Sequence, residues 1–276
     1  MNSDIAIRDM KPEDEEFVSL CGHNQDEAKD HPVFIADCIE FSVHRKEWFN
    51  AKYDLGFRAK VALFEDERAG FLYIMPIEIC PWGPIGEDLL VIPCLNVNET
   101  YKEKGIGGAL LEEAEKEVTK QGKKGIVLIA YHWGNDFWFM PASFFEKQGY
   151  LEIRRKDLSN NYIEVMLWKK MDQTAKKPDF MLRNYSYQPI PQKVVIDLFF
   201  NTFCETSNTE AGRVREVAQE YGDKVILREF SADDRKQLLT HQISRGIFVN
   251  GKEISWGYEA PRKGVKEAIM NALNQI

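Results

Sequence analysis

The chain has 276 residues, of which 44% are hydrophobic, and its formal net charge is −8 at pH 7. This length exceeds that of one ordinary α/β domain and fits two, and the negative charge argues against nucleic acid as a partner. No apolar run approaches the ~20 residues that span a bilayer, which argues against a membrane protein. The five cysteines form no CxxC pair and no regular spacing, so we expect a reducing cytoplasm and neither a disulfide framework nor a bound metal.

The first third of the chain is predicted to form a strand, two helices and a β-hairpin. Residues 5–8 form the strand, and a helix opens over residues 11–16, with a proline and acidic residues in its first turn. A long, loosely amphipathic helix is expected over residues 31–53. Residues 57–65 and 70–79 are apolar runs on either side of a polar turn, which is the pattern of a hairpin.

A glycine-rich turn between a strand and a helix is the most informative segment of the chain. The apolar run at residues 89–97 has the length of a buried strand, and residues 107–121 have the spacing of an amphipathic helix. Between them, Gly105, Gly107 and Gly108 let the backbone approach a ligand closely. The first N–H groups and the macrodipole of the helix attract negative charge there, so the segment predicts a phosphate or pyrophosphate site.

Two common phosphate-binding loops do not fit this turn. A P-loop requires Gly-Lys-Ser/Thr, but Gly107 is followed by Gly108 and Ala109. A dinucleotide-binding fingerprint requires a glycine at the position that Leu110 occupies. What remains is a basic residue, two spacers, glycine, one spacer and glycine.

The sequence Lys102-Glu103-Lys104-Gly105-Ile106-Gly107 resembles the acetyl-CoA pyrophosphate loop of the GNAT N-acetyltransferase superfamily. A second buried strand at residues 125–131 and a short helical run with its turn at residues 144–150 follow in the family's order. The resemblance covers about residues 4–170 and implies an α/β (α+β) domain in which helices flank a mixed sheet. The family prefers arginine or glutamine at the first position of this pattern and often has glycine at the second.

The resemblance implies acetyl-CoA as the cofactor and assigns its contacts. The backbone of the strand before the loop would bind pantetheine, the loop would bind pyrophosphate through its N–H groups, and the short helix would close the site. The implied contact residues are Leu95, Asn96, Val97, Lys102, Glu103, Lys104, Gly105, Ile106, Gly107, Gly108 and Phe145.

Acetyl transfer needs a base or a water chain for the amine proton, a donor to the carbonyl oxygen and a proton for the leaving thiol. The resemblance assigns the carbonyl contact to the Val97 N–H. Many family members have a tyrosine on the closing helix where this chain has Phe145, so the proton donor is sought in Tyr131, His132 or Tyr150. The candidate bases are Glu78, Glu87, Asp88 and Glu99. A structural role for His132 and a solvated loop charge for Glu99 are the alternatives.

The acceptor side is predicted to be aromatic, with acidic residues that hold a cation, and its candidate residues are Glu78, Trp82, Trp133, Asp136 and Trp138. Residues 1–171 carry 30 acidic and 21 basic groups, whereas residues 172–276 carry 14 and 15. This difference favours a cationic amine, on a small molecule or a peptide, as the substrate. The alternative is that the aromatic residues pack an interface between domains.

A polar, proline-bearing stretch follows a last predicted strand at residues 162–169. We therefore expect a first domain at residues 1–171, a linker at 172–192 and a second domain at 193–276. The second domain is predicted to alternate strands and helices, at residues 194–200, 210–221, 224–230 and 234–241, before a hairpin at 246–254 and a closing helix at 262–273.

This order resembles a thioredoxin-like fold, specifically the YoaP-type domain that follows some acetyltransferases. Cys204 and Ser207 stand where a thioredoxin has its two cysteines, and Arg245 stands where that fold has its cis-proline. A cysteine at a helix N-terminus is a candidate thiolate, and the alternative is an inert, partly buried side chain. Without a second cysteine a dithiol cycle cannot run.

The sequence thus predicts an acetyl-CoA-dependent N-acetyltransferase in which the amine attacks directly in a ternary complex. One alternative is an acyl-CoA-binding or sensing module without turnover. The other is a thiol-dependent enzyme that uses Cys204. Assembly into a homo-oligomer is left open.

Overall fold

The computed structural model describes residues 4–23, 31–132, 139–158, 162–256 and 259–276. The chain divides into two compact units, the first formed by Met1–Asn24 and Phe49–Met181 and the second by Gln25–Trp48 and Leu182–Ile276. This division differs from the predicted one, in which residues 1–171 form a continuous domain. Among the described residues, no helix is both long enough and apolar enough to cross a lipid bilayer.

The first unit is built on a seven-stranded mixed sheet. Its strands are β1 (Ile5–Asp9), β2 (Arg58–Phe64), β3 (Glu67–Pro76), β4 (Leu90–Val97), β5 (Gly125–His132), β6 (Leu151–Asp157) and β7 (Ile163–Lys170). Its helices are α1 (Glu15–Ser19), the end of α2 (Pro32–Tyr53), α3 (Ile106–Lys120) and α4 (Ala142–Lys147). The strand order is β1-β2-β3-β4-β5-β7-β6, and only β4 and β5 are parallel neighbours. The mixed sheet with flanking helices that the resemblance implies is confirmed.

Helix α3 covers the middle of this sheet with the apolar face predicted from its sequence. Leu110, Ala114 and Val118 repeat every four residues and are fully buried against β3 to β5. The same face carries a buried ion pair, since Lys60 Nζ on β2 lies 2.9 Å from Glu117 Oε2 and 2.5 Å from Asp9 Oδ1. Burial alone would raise the pKa of Glu117, but the hydrogen bonds from Lys60 and Gln121 lower it.

Strand β6 was not predicted from the sequence. Its residues, LEIRRKD, are mostly exposed and show no apolar alternation. It lies at the edge of the sheet and pairs only with β7 among the described strands. Charged side chains are typical of edge strands, where they discourage pairing with another chain, and they remove the apolar period by which a strand is recognised.

The second unit contains a four-stranded sheet. Its strands are β8 (Val194–Phe200), β9 (Val225–Ser231), β10 (Gly246–Val249) and β11 (Lys252–Ile254), and its helices are α5 (Glu205–Glu220), α6 (Arg235–His241) and α7 (Arg262–Leu273). The strand order is β11-β10-β8-β9, with β8 and β9 parallel and the other pairs antiparallel. Asn250 and Gly251 both have positive φ, at 48° and 80°, which closes the predicted hairpin between β10 and β11.

Residues 32–48 of α2, about three-quarters of the helix, belong to the second unit because their polar side chains bind α5 and its surroundings. Asp37 accepts hydrogen bonds from Arg213 and Arg262 at 2.7 to 2.9 Å. The Arg45 guanidinium donates to the Phe203 carbonyl at 2.8 Å. The first turns of α5 are buried although their sequence, ETSNTE, consists of polar residues. They also bind α2, since the Asn208 side-chain amide donates to the Phe41 carbonyl at 2.6 Å and the Cys38 thiol donates to Glu205 Oε1 at 2.7 Å. Nothing in the sequence predicts such burial, and α5 begins at Glu205 rather than at the predicted residue 210.

Candidate functional site

The parallel strands β4 and β5 separate along their length. They are paired only at Leu90 with Ile126 and at Val91 with Val127. Beyond these two pairs β4 stays paired with β3, and β5 stays paired with β7 as far as His132. The two strands therefore leave a wedge-shaped opening, called the wedge below, between residues 92–97 of β4 and residues 128–132 of β5.

The backbone of β4 presents polar groups to this wedge. The Asn98 N–H donates to the Ala69 carbonyl at 2.9 Å, and the antiparallel register pairs Val97 with Gly70 and Leu95 with Leu72. Backbone groups of successive residues in an antiparallel pair alternate between the two sides of the strand. Since Asn98 faces β3, Leu95 and Val97 direct their N–H and C=O groups away from β3 and into the wedge. No described strand pairs with them there.

The far end of the wedge is bounded by the segment that leads into α4. The Tyr131 N–H donates to the Met140 carbonyl at 3.0 Å, and Tyr131 also forms a parallel bridge with Pro141. Pro141 is the N-cap residue of α4. The chain after β5 therefore returns along the end of that strand before it turns into the helix.

An uncapped helix N-terminus follows the end of β4. Gly105 is the N-cap residue of α3, with a φ of 87°, and no described side chain accepts a capping hydrogen bond there. The first intrahelical bond is from the Ala109 N–H to the Gly105 carbonyl, so the N–H groups of Ile106, Gly107 and Gly108 have no acceptor within the helix. A Cβ at Gly105 would meet no described atom within 4 Å. The turn is therefore open and rich in N–H donors, which suits an anionic ligand.

Charged side chains of the loop are held at its rim. Lys102 forms an ion pair with Glu99, and Lys104 Nζ lies 4.1 Å from the centre of the Phe64 ring. Lys104 therefore adds positive charge beside the helix N-terminus, whereas the charge of Lys102 is partly offset by Glu99. Glu103 has a φ of 63°, an uncommon conformation for a non-glycine residue. The loop residues predicted from the sequence thus lie together at the wide end of the wedge.

The two phenylalanines of α4 have different positions. A Cβ on Gly107 would come within 2.9 Å of Phe144 Cζ, so the Phe144 ring lies against the loop. Phe145, the residue predicted to contact the cofactor, is instead buried in the core, edge-to-face with Tyr150 at 6.1 Å between ring centres. Sequence reasoning missed Phe144, because a Phe-Phe pair on a short helix does not reveal which ring faces inward.

The candidate tyrosines are both in low-dielectric surroundings. Tyr150 is 1% exposed, and its hydroxyl has no hydrogen-bond partner among the described residues. Its burial raises the pKa, with a smaller contribution from Glu115. Tyr131 is partly buried at the end of β5, and burial together with the Glu164 carboxylate raises its pKa. The structure therefore places Tyr150 in the core and Tyr131 beside the wedge.

His132 and Glu99 lie in different surroundings. His132 Nε2 is 3.4 Å from Glu146 Oε1 on α4, and both lie near Glu152 on β6. Because β7 lies between β5 and β6, this side chain extends away from β4 and from the wedge. The Glu99 side chain is 84% exposed in the loop.

The candidate bases at the start of β4 lie far from the loop. Glu78 accepts a hydrogen bond from the Asp88 N–H at 2.8 Å and forms an ion pair with Lys123 at 3.1 Å. Glu87 and Asp88 form ion pairs with Lys176 and Lys124. These groups lie before β4, whereas the loop follows it, and an eight-residue strand is about 26 Å long. The structure therefore does not bring them to the loop.

The structure describes one of the predicted aromatic acceptor residues, Trp82. Trp82 is half-buried, and its carbonyl accepts a hydrogen bond from the Cys80 thiol at 2.8 Å. The adjacent Gly83 lies against Ile129 of β5, since a Cβ there would be 3.6 Å from that side chain. Trp133, Asp136 and Trp138 lie outside the described residues.

In the second unit, Cys204 is the half-buried N-cap residue of α5. Its N–H donates to Asn201 Oδ1 at 2.7 Å, and the buried Ser207 hydroxyl accepts the Asn201 N–H at 3.0 Å. Arg245 forms a two-pronged ion pair with the buried Glu210, at 2.6 and 2.9 Å. Ser207 and Arg245 are therefore engaged in hydrogen bonds that hold the start of α5.

Comparison with known proteins finds no matching family description and no matching curated protein. Among solved structures, the chain is similar to an aminoglycoside 6'-N-acetyltransferase complexed with coenzyme A, with 19% identity and a TM-score of 0.42 over 63% of this chain and 99% of that one. It is similar to the ribosomal-protein-S18-alanine N-acetyltransferase of Escherichia coli, with 13% identity and a TM-score of 0.40 over 64% and 99% of the two chains. A GNAT family acetyltransferase of Brucella melitensis, in complex with acetyl-CoA, matches with 16% identity and a TM-score of 0.38 over 63% and 93%.

Proposed function

We propose that the chain is a GNAT-type N-acetyltransferase that transfers the acetyl group of acetyl-CoA to the amine of a small molecule or peptide. The observation that carries this proposal is the wedge between β4 and β5, which opens beside the uncapped N-terminus of α3. A pantetheine chain carries amide groups that need strand-like partners, and a pyrophosphate needs clustered N–H donors. The wedge and the loop offer both in one continuous surface.

The residues present fit coenzyme A. Leu95 and Val97 would hold the pantetheine amides through the backbone groups that face the wedge. The N–H groups of Ile106, Gly107 and Gly108 would bind the pyrophosphate, with Lys102 and Lys104 adding positive charge. The positive φ at Gly105 supports this role, because a residue with a side chain would be strained there. The space around Gly105 is open, so a ligand can approach the backbone closely.

Bound acetyl-CoA supplies a thioester whose acetyl group is activated towards an amine. The Val97 N–H would donate to the carbonyl oxygen and stabilise the negative charge that develops there. Tyr131 is the proposed proton donor, because it lies near the end of β5 beside the wedge and a tyrosine hydroxyl is protonated at neutral pH. Glu99 is the proposed proton carrier for the amine and would act through water, whereas His132 extends away from the wedge.

We also propose that the second unit is thioredoxin-like and has lost dithiol chemistry. A parallel β8–α5–β9 unit followed by an antiparallel hairpin and a closing helix supports the fold. The buried Ser207, which accepts a hydrogen bond from the Asn201 backbone, supports the loss, because it occupies the place of a second cysteine. Cys204 would then serve at most as a single thiol.

Acetyl-CoA binding is tested by calorimetric titration of the wild type, Gly107→Trp and Glu112→Trp. Gly107→Trp places an indole at a position where a Cβ alone would come within 2.9 Å of Phe144 Cζ. Glu112→Trp places the same side chain at an exposed position of the same helix. We expect binding in the wild type and in Glu112→Trp, and its loss in Gly107→Trp. Absence of binding in the wild type would refute the proposal.

Turnover is tested separately, by measuring release of free coenzyme A in the presence of a panel of cationic amines. Turnover that is lost in Tyr131→Phe, with acetyl-CoA affinity retained, supports the acid role of that hydroxyl. Tight binding with no turnover on any amine favours a sensing module. Activity that survives Gly107→Trp and is lost in Cys204→Ser favours a thiol-dependent enzyme.

A further inference from the structure

Three side chains with metal-binding atoms converge on the outer side of α4. They are His132 at the end of β5, Glu146 on α4 and Glu152 on β6, and one ligand atom of each lies within 4.8 Å of the others. The three belong to different secondary-structure elements, so their convergence is a product of the fold. It is not expected from the sequence, in which no metal-ligand spacing is present.

The distance between His132 and Glu146 is close to the separation of two ligands on one metal ion, and a modest side-chain movement would bring Glu152 to the same ion. His132 Nε2 and Glu146 Oε1 are 3.4 Å apart, beyond the usual range for an N–H···O bond. Two ligands at 2.0–2.1 Å from a tetrahedral Zn²⁺ are about 3.3 Å apart. The side chains of His132 and Glu146 are 33% and 40% exposed, so an ion can reach them from solvent.

The group carries a net negative charge that a bound cation would neutralise. Glu152 accepts two hydrogen bonds from Arg155, at 2.9 and 2.7 Å. Arg155 offsets one of the two carboxylate charges. The imidazole and the second carboxylate then face each other with one net negative charge between them.

We propose that His132, Glu146 and Glu152 form a Zn²⁺ site that fastens α4 to β5 and β6, with water as the fourth ligand. One imidazole nitrogen and two carboxylate oxygens are a donor set that favours Zn²⁺ over Mg²⁺ or Ca²⁺, which prefer oxygen alone. Helix α4 has only six residues, too few to be stable by themselves. A metal bridge from Glu146 to two strands would stabilise it.

The site is tested on the full chain, freed of metal with a chelator and then titrated calorimetrically with ZnCl₂ in the absence of acetyl-CoA. We expect one Zn²⁺ per chain and a higher Tm in its presence. Affinity should fall at least ~10-fold in His132→Ala and in Glu146→Gln. His44→Ala is the matched control, because His44 and Glu47 form a similar exposed pair at 3.7 Å on α2, and it should bind as the wild type does.

A variant that is expected to bind Zn²⁺ more tightly distinguishes this site from unspecific binding. Arg155→Gln removes the cation that competes for Glu152, so Zn²⁺ should bind more tightly than in the wild type. Absence of saturable Zn²⁺ binding, binding that persists unchanged in His132→Ala, or weaker binding in Arg155→Gln would each overturn the proposal. Because no coenzyme is present, these outcomes do not depend on the proposed function.

Discussion

Replacement of Asp37 by asparagine tests whether α2 is an integral part of the second unit. The Asp37 carboxylate lies 2.7 to 2.9 Å from four guanidinium nitrogens, two of Arg213 and two of Arg262. Asp37 and Arg213 are both almost fully buried, at 5% and 3% exposure. Asparagine keeps the size of the side chain and removes its charge, which leaves Arg213 with Glu259 as its remaining carboxylate among its described ion pairs.

The expected loss of stability is large because the buried Arg213 loses one of its two carboxylate partners. Removal of one partner from a buried ion pair typically costs 3–5 kcal/mol. Arg213 keeps Glu259 and Arg262 keeps Glu216, so we expect the lower end, about 3 kcal/mol, or about 150-fold in the local unfolding equilibrium. Glu40→Gln is the matched control, since Glu40 is exposed on the same helix.

Hydrogen exchange read by mass spectrometry measures this loss segment by segment. In Asp37→Asn, exchange should accelerate together in residues 32–48 of α2 and in β8, α5 and β9, whereas Glu40→Gln should behave as the wild type does. Acceleration confined to α2, or smaller than about 5-fold in α5, would refute the assignment of α2 to this unit.

The same variant has a defined pH dependence. Burial would raise the pKa of Asp37, but the hydrogen bonds from Arg262 and Arg213 outweigh it and lower the pKa. Its contribution to stability is therefore complete above the pKa of an unfolded aspartate, about 3.9, and is lost as the pH falls through the lower folded pKa. The difference between wild type and variant should shrink below pH ~4.

Other substitutions test single features of the two units. Tyr150→Phe removes a buried hydroxyl that has no partner among the described residues, so we expect an unchanged or higher Tm, and a loss of acetyl transfer at unchanged Tm would instead assign that hydroxyl a catalytic role. Gly251→Ala combines a φ of 80° with a Cβ 2.7 Å from Tyr187 and should cost about 2 kcal/mol in urea unfolding, whereas an unmoved midpoint would contradict the turn geometry. Lys60→Met leaves Glu117 buried without its main cation and should lower the free energy of unfolding by about 3 kcal/mol at pH 7. The loss should be smaller in acid, where Glu117 is protonated, and a variant as stable as the wild type at pH 7 would argue against the buried pair.

Elements with a clear apolar period were predictable from the sequence. The α3 helix and strands β4, β5 and β7 lie within two residues of their predicted bounds, because each buries a regular apolar face. The loop glycines were equally informative, since Gly105 has a conformation that favours glycine.

Features that depend on tertiary charge pairing were not predictable. The polar start of α5 shows no apolar period, and its Glu205 and Asn208 side chains bind Cys38 and Phe41 of a helix that is distant in sequence. The convergence of His132 with Glu146 and Glu152 is of the same kind. Spacing along the chain predicts neighbours within one element, whereas these contacts join elements that only the topology brings together.

The place of α2 in the chain has a consequence for synthesis. Leu182, where the second unit resumes, is made 134 residues after Trp48. At 5–20 residues per second, that interval is about 7–27 s. The first unit is complete in sequence at Met181, so it is free to fold while residues 31–48 still await β8 and α5. A ribosome that pauses between Trp48 and Leu182 would prolong the time during which the Asp37 and Arg45 face of this helix stays without its partners.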